Sequence, residues 1–206
     1  KILVKAEGQK FFDAVNAEFK NILERDVDGA AHIVTQAELD RVSASFTTPA
    51  GVRAQAEPQH FGDDSRAFTR WLERNVRAHR LPGYRAVVLS LKRAGQAPGD
   101  ATDEQMNAAA DLADRFSHGE LRVTHQQNLV LPWVAASELS ALWQAAKASG
   151  FATPNIGLVS DMIACPGGDF CALANARSIP LAAAITERFE DLDRLYDIGD
   201  IDLHLS

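Results

Sequence analysis

Cysteine is nearly missing from this chain, with two among 206 residues, too few for the disulfide framework of a small secreted domain. The expectation that follows is a reducing compartment, with thiols free for reaction or for metal. Long apolar runs are also missing. No stretch approaches the roughly 20 residues that a bilayer span needs, and the N-terminal KILVKAEGQKFF has neither a long apolar h-region nor a cleavage site. We therefore expect a cytoplasmic protein with no membrane partner. Positive charge is in short supply: 21 Lys and Arg stand against 28 Asp and Glu, a net of −7. A surface of that sign repels a phosphate backbone, so nucleic acid is not expected as a partner. The histidines show no HxxH or HExxH spacing, and Gly167-Gly168 stands in no GxGxxG or GxxxxGKS pattern. The commonest His-metal and nucleotide-loop signatures are absent.

What is present is a core: 46% of the residues are hydrophobic. In QKFFDAVNAEFKNILER, Phe11, Phe12, Val15, Phe19, Ile22 and Leu23 recur at helical spacing and predict a packed helix. Thr35 with Glu38 has the form of a capping box that would open a second helix. Residues 46–65 carry two prolines and two glycines without a period, the composition of a linker. A helix through Phe68, Trp71, Leu72 and Val76 then runs to Pro82-Gly83. Beyond it, YRAVVLSLKR reads as a strand, and Thr102 with Gln105 caps a helix that stops at Gly119. LRVTHQ and NLVLPWV read as strands joined at Gln127-Asn128. Ser137 would cap a helix to about Ser149, and IGLVSDMI would be a last strand. The order β-α-β-β-α-β from Tyr84 to Ile163 is that of an α+β, ferredoxin-like sheet-and-helix module. SIPLAAAITERFEDLDRLY is helical in period, and IDLHLS alternates like a strand.

The two cysteines stand together in ACPGGDFCALANARS, as Cys165-x5-Cys171. Buried inert thiols are one reading. The spacing does not fit a CxxC redox pair, and zinc would want four N or S ligands. Two thiolates are half of what a [4Fe-4S] cubane needs. Pro166-Gly167-Gly168 would let the backbone curl closely round such a cluster, and a helix after Asp169 would point its positive end the same way. A reversible dithiol stays open if the loop brings the two Cα atoms within about 7 Å. Elsewhere Arg66, Arg70, Arg74 and Arg77 form a basic helical stripe, either an anion site or a solvated face paired to Glu73 and Asp63. Arg80 and Arg85 flank the Pro-Gly turn with the same two readings. Trp71, Trp133 and Trp143 are expected in the core.

Three stretches carry a resemblance. DMIACPGGDFCALANARS resembles the cluster-binding motif of the siroheme-dependent nitrite and sulfite reductases. LRVTHQQNLVLPWV resembles the motif those enzymes place on a strand pair beside the siroheme. VRAHRLPGYRAVVLSLKR, with the helix through DLADRFSHGE, looks like their second ferredoxin-like repeat. The match runs in order over about residues 66–206. It implies that Cys165 and Cys171 are the first pair of four cluster ligands, and that a C-x3-C pair would follow the strand at 201–206. It also implies that Arg122, Thr124, Gln126, Gln127 and Asn128 donate to the carboxylates of siroheme, although an ordinary solvent-side strand would carry such residues too. His125 stands where the family usually has Arg or Asn. The division implied is an N-terminal helical segment and linker (1–60), a ferredoxin-like half-domain (61–155) and a truncated cluster- and siroheme-binding domain (156–206). The parent would reduce sulfite to sulfide or nitrite to ammonia by six electrons, using siroheme coupled to a [4Fe-4S] cluster. This fragment would then be inactive by itself. The implied partners are the remaining N- and C-terminal parts of the same enzyme and an electron donor, either a flavoprotein or a ferredoxin. Self-association through uncovered apolar surface is a further expectation. The alternative is a cofactor-free ferredoxin-like scaffold or interaction domain.

Overall fold

The computed structural model describes residues 2–189 and 191–205. The chain divides into two units, residues 1–52 and 53–206. In the first, α1 (Ile2–Glu7) and α2 (Gln9–Arg25) precede a short 3-10 turn and α3 (Gln36–Ala44). Phe12, Val15, Phe19 and Ile22 line one face of α2, as their spacing predicts, but each stays 43–50% exposed and no residue of the helix is buried. The expected packed helix is corrected: a period shows which face is apolar, not that anything covers it. At the start of α3, Thr35 Oγ1 accepts from the Glu38 amide at 3.2 Å. The Glu38 carboxylate turns to Arg41 at 2.7 Å instead of back to the cap, so half of the capping box forms.

The second unit is built on a four-stranded antiparallel sheet in the order β1-β2-β4-β3. Its strands are β1 (Val76–Ala78), β2 (Tyr84–Leu89), β3 (Arg122–Val123) and β4 (Leu129–Ala135). Three helices complete it: α4 (Arg66–Asn75) before β1, α5 (Asp103–Phe116) between β2 and β3, and α6 (Leu139–Ala148) after β4. Val87, Leu89 and Leu91 from β2 and its continuation meet Leu129, Leu131 and Val134 of β4 in one core with Phe68, Trp71, Leu112, Phe116 and Trp143. The β4 contribution jumps from 131 to 134 because the pairing shifts register between Arg85 and Val87. Pro132 sits at that irregularity, where a strand tolerates a residue without an amide proton. The shift turns Trp133 away from this core. It is buried instead against His79, ring centroids 4.8 Å apart, with its indole N–H donating to Glu120.

Helix caps follow the sequence at two ends. Ser65 Oγ accepts from the Phe68 amide. Thr102 and Gln105 form the full reciprocal box at 3.2 and 3.0 Å. Ser137 does not cap α6: it lies within a 3-10 turn (Ala136–Glu138), and the helix starts after Glu138 without a side-chain cap.

The expected last strand, IGLVSDMI, is a second correction. Residues 157–161 form consecutive turns, with the Leu158 amide on the Asn155 carbonyl and the Asp161 amide on the Leu158 carbonyl. Gly157, at φ +80°, supplies the left-handed residue that the first turn requires. The sheet takes β1 as its fourth strand instead. Only Ile163–Ala164, β5, is extended, and it pairs in parallel with β6 (His204–Leu205). Between them lie α7 (Ser178–Arg188) and α8 (Leu192–Ile198), two helices drawn from the one periodic stretch. Small apolar clusters support this end: Leu158, Val159 and Leu195 form one, and Met162, Ala164 and Ala182 another. Ser206, the last residue of IDLHLS, lies outside the described residues.

Residues 53–62 hold no helix or strand but are fastened to the β1–β2 turn. The Gln55 amide donates to the Pro82 carbonyl, and Glu57 accepts from the Gly83 amide and from Arg85 at 2.9 and 2.6 Å. Those bonds hold the Glu57 carboxyl down at about 2. Arg85 is thereby committed to Glu57 rather than offered to an anion, while Arg80 is exposed.

Candidate functional site

Cys165 leaves the end of β5 and Cys171 follows a tight turn of residues 167–169. Neither is in a disulfide; Cys165 is exposed and Cys171 half-buried. The loop holds its own shape. The Cys171 amide donates to the Gly167 carbonyl at 2.9 Å, the Gly168 amide to the Ala176 carbonyl at 2.7 Å, and Arg177 Nε to Asp169 at 2.6 Å. Gly167 has φ +63°, and a Cβ there would lie 2.7 Å from the Ala176 carbonyl oxygen and 2.9 Å from the Ser178 nitrogen, so no other residue fits. No helix follows Asp169, contrary to the expectation; the next one starts at Ser178, whose hydroxyl donates to the Cys165 carbonyl. A cleft of about 500 Å³ opens beside Cys165, lined also by Gly167, Arg177, Ser178 and His204.

Two accessible thiols on a preshaped glycine loop fit a [4Fe-4S] cluster as part of its ligand set, since the cluster takes Cys thiolates. Among the described residues, no group of three or more His, Cys, Asp or Glu side chains is placed to hold a metal ion. The described residues therefore contain two thiols, where such a cluster takes four.

The residues expected to meet siroheme lie in the β3–β4 hairpin, and the structure gives several of them other work. The strands close at Thr124 and Asn128, whose backbone groups pair at 2.9 Å, leaving the three-residue loop His125-Gln126-Gln127 with Gln127 at φ +56°. That is a type I turn ending in a left-handed residue, not a junction at Gln127-Asn128. Gln126 sits in the turn, so Arg122, Thr124 and Gln126 do not line one strand face, as strict alternation would have placed them. Arg122 pairs with Glu120. Thr124 Oγ1 accepts from the Asn128 amide at 3.1 Å. Asn128, 2% exposed, accepts from the Leu91 amide at 3.0 Å and donates to Asp161 at 2.8 Å. Gln127 is bonded through both side-chain amide atoms to Ala164. Gln127 thus spends one of its two side-chain N–H donors on Ala164, and Asn128, which is buried, one of its two on Asp161.

Sequence reasoning missed the buried network beneath this turn. The Lys92 ammonium, its side chain 1% exposed, donates to the Gln126 carbonyl at 2.6 Å and stands 3.4 Å from Asp161. Burial lowers its pKa, and Asp161 opposes that shift. Asp161 also accepts from the Gly157 amide at 3.0 Å. Asn155 joins in, accepting from Ser90 Oγ at 2.8 Å and donating to the Lys92 carbonyl at 2.9 Å. A lysine ending an apolar strand and an aspartate in a turn-rich segment were the available signals.

The arginine stripe is largely structural. Arg70 and Arg74 lie over the Tyr196 ring at 4.8 and 4.9 Å, Arg74 also pairs with Asp200, and Arg77 donates to the Glu73 carbonyl. Arg66 lines a cleft between α4 and α6.

An antiparallel four-stranded sheet with packed helices and a hairpin tied to a two-cysteine loop makes this an α+β protein of ferredoxin-like half-domain type. Residues 85–149 match the nitrite/sulfite reductase ferredoxin-like half domain. The chain is 34% identical over 90 residues to a chloroplastic ferredoxin–nitrite reductase of Arabidopsis thaliana, covering 43% of this chain and 15% of that one. It is 30% identical over 163 residues to the chloroplastic ferredoxin–nitrite reductase of Zea mays, covering 73% and 26%. The NirA protein of Mycobacterium tuberculosis overlies 73% of this chain and 26% of its own with a TM-score of 0.44 at 23% identity. The likeness to the nitrite/sulfite reductase family therefore rests on the half domain at residues 85–149. It spans about a quarter or less of the length of these relatives. No described helix is long and apolar enough to cross a membrane.

Proposed function

We propose that this chain is the half-domain and first-cysteine-pair portion of a siroheme- and [4Fe-4S]-dependent reductase acting on nitrite. The observation that carries the reading is the Cys165-x5-Cys171 loop, preshaped by Gly167 and joined to a half domain of the nitrite/sulfite reductase type. Cys165 and Cys171 would hold one side of the cluster. When bound, the cluster supplies electrons to the siroheme, where the oxyanion is reduced by six electrons to ammonia. The chain's own part is to present two thiolates, to keep the loop backbone closed behind them and to fix that loop against a rigid sheet. The relatives' names favour nitrite over sulfite and a ferredoxin donor over a flavoprotein. The oxyanion site and the other two cluster ligands are assigned to the remainder of the parent enzyme, so the portion itself is inactive. A cytoplasmic or plastid stroma setting, reducing in either case, is consistent with two free thiols.

The coding sequence downstream of Ser206 is the first test. A C-x3-C pair within a few codons, followed by iron and acid-labile sulfide near four of each in the anaerobically purified full-length product, is the expected result. Replacement of Cys165 or Cys171 by Ser should then remove the visible absorption of the cluster. A stop codon directly after Ser206, or a full-length product whose iron content is indifferent to both replacements, overturns the reading in favour of a cofactor-free scaffold.

A further inference from the structure

β5 is short and bonded on one side only. The Ile163 and Cys165 amides point to β6, donating to the Leu203 and Leu205 carbonyls at 2.9 and 2.8 Å. Ala164, between them, faces the opposite way, and among the described residues no strand lies there. What lies there is the side chain of Gln127. Its Nε2 donates to the Ala164 carbonyl at 3.0 Å, and its Oε1 accepts from the Ala164 amide at 3.0 Å. This exchange of both bonds with one residue is the pattern of a hydrogen-bonded antiparallel pair, made here by a side chain.

We infer that Gln127 is a positioning residue for Cys165: its amide acts as a surrogate strand on the open edge of β5 and fixes where the first cysteine leaves the sheet. The hairpin can hold this aim because it is anchored twice more, by Lys92 on the Gln126 carbonyl and by Asp161 on Asn128. Gln127 occupies the left-handed region at φ +56° although it is not glycine, a cost of the kind retained where a side chain is needed. Gly99 is matched to it, since a Cβ there would lie 2.8 Å from that of Gln127. The link to a cluster ligand rests on the function proposed above, whereas the clamp itself does not.

Amide hydrogen exchange on the full chain, wild type against Gln127→Gly and Gln127→Glu, tests the clamp. Glycine removes the side chain and favours the turn's backbone, so the hairpin persists. Glutamate keeps the acceptor for the Ala164 amide and loses the donor. The Ala164 amide should exchange at least tenfold faster in Q127G and by an intermediate factor in Q127E, while the β2–β4 amides of Val87 and Leu131 keep their rates. An unchanged Ala164 rate, or equal acceleration of every amide, overturns the clamp. Anaerobic reconstitution of the full-length product with ferrous iron and sulfide, read by iron content and the cluster spectrum, tests the consequence. Q127G should take up less iron than wild type and show a shifted spectrum, with Q127E partly restoring both. Equal uptake and spectra in wild type and Q127G refute the positioning role, whereas failure of the wild type to bind iron refutes the proposed function and leaves the exchange result to judge the clamp.

Discussion

Replacing Asp161 by Ala removes the acceptor on which three segments converge: the Lys92 ammonium, the Asn128 side chain and the Gly157 amide. In wild type the pair is dry, with side chains 1% and 6% exposed. The variant leaves an ammonium whose remaining described bond is to the Gln126 carbonyl, and it strands the buried Asn128 donor and the half-buried Gly157 amide. Removing one partner of a buried pair costs about 3–5 kcal/mol. At about 2–4 °C per kcal/mol for a domain of this size, the midpoint should fall by roughly 6–20 °C. Urea unfolding at pH 7 would read the same loss as a lower Cm at unchanged m. The pH dependence has a definite sign. Burial lowers the Lys92 pKa in the folded state, so between that value and the unfolded value of about 10.4 the unfolded chain binds more protons and stability rises with pH. Without Asp161 nothing opposes the shift, and the window widens downward. The double variant Lys92→Met, Asp161→Leu should be more stable than Asp161→Ala because no charge is left buried. A loss below about 1 kcal/mol for Asp161→Ala would refute the network as the support of the hairpin.

Glu57→Gln should destabilise the protein at pH 7. Its folded pKa lies below the unfolded one, so the stabilisation is complete above about 4.5 and is lost as pH falls toward 2; melting curves of the two proteins should converge there. Gly167→Ala forces a Cβ against the Ala176 carbonyl and the Ser178 nitrogen in a left-handed residue. It should cost about 1–3 kcal/mol and speed exchange at the Gly168 and Cys171 amides. Thr102→Ala opens the capping box of α5 and should cost about 1 kcal/mol in thermal or urea unfolding.

Local rules carried much of the second unit. The Thr102–Gln105 box, the β2 and β4 strands and the core placement of Trp71 and Trp143 were legible because each depends on neighbours a few residues away. The misreadings share a physical cause. IGLVSDMI has the composition of a strand, but Asn155, Gly157 and Asp161 satisfy its backbone through turns and side chains, a competition decided by partners more than 60 residues away at Ser90 and Lys92. The α2 stripe is apolar without being buried, since a period carries no information about a cover. In the site, residue types pointed to the cysteine loop, whose two thiols the structure leaves free beside the end of β5. The pairing of Gln127 with Ala164 was out of reach, because alternation assigns a strand residue to a face and this residue stands in a turn.

The β3–β4 turn works as a ruler. Arg122 pairs with Val130 and Val123 with Leu129, so the length of the segment between them sets how far the Gln127 amide reaches. Surface hairpins ordinarily accept an extra residue at little thermodynamic cost. Here one inserted residue would change the turn type and swing the amide off Ala164. A solvent-facing loop should therefore show the intolerance to changes of length that is usual for the interior of a sheet.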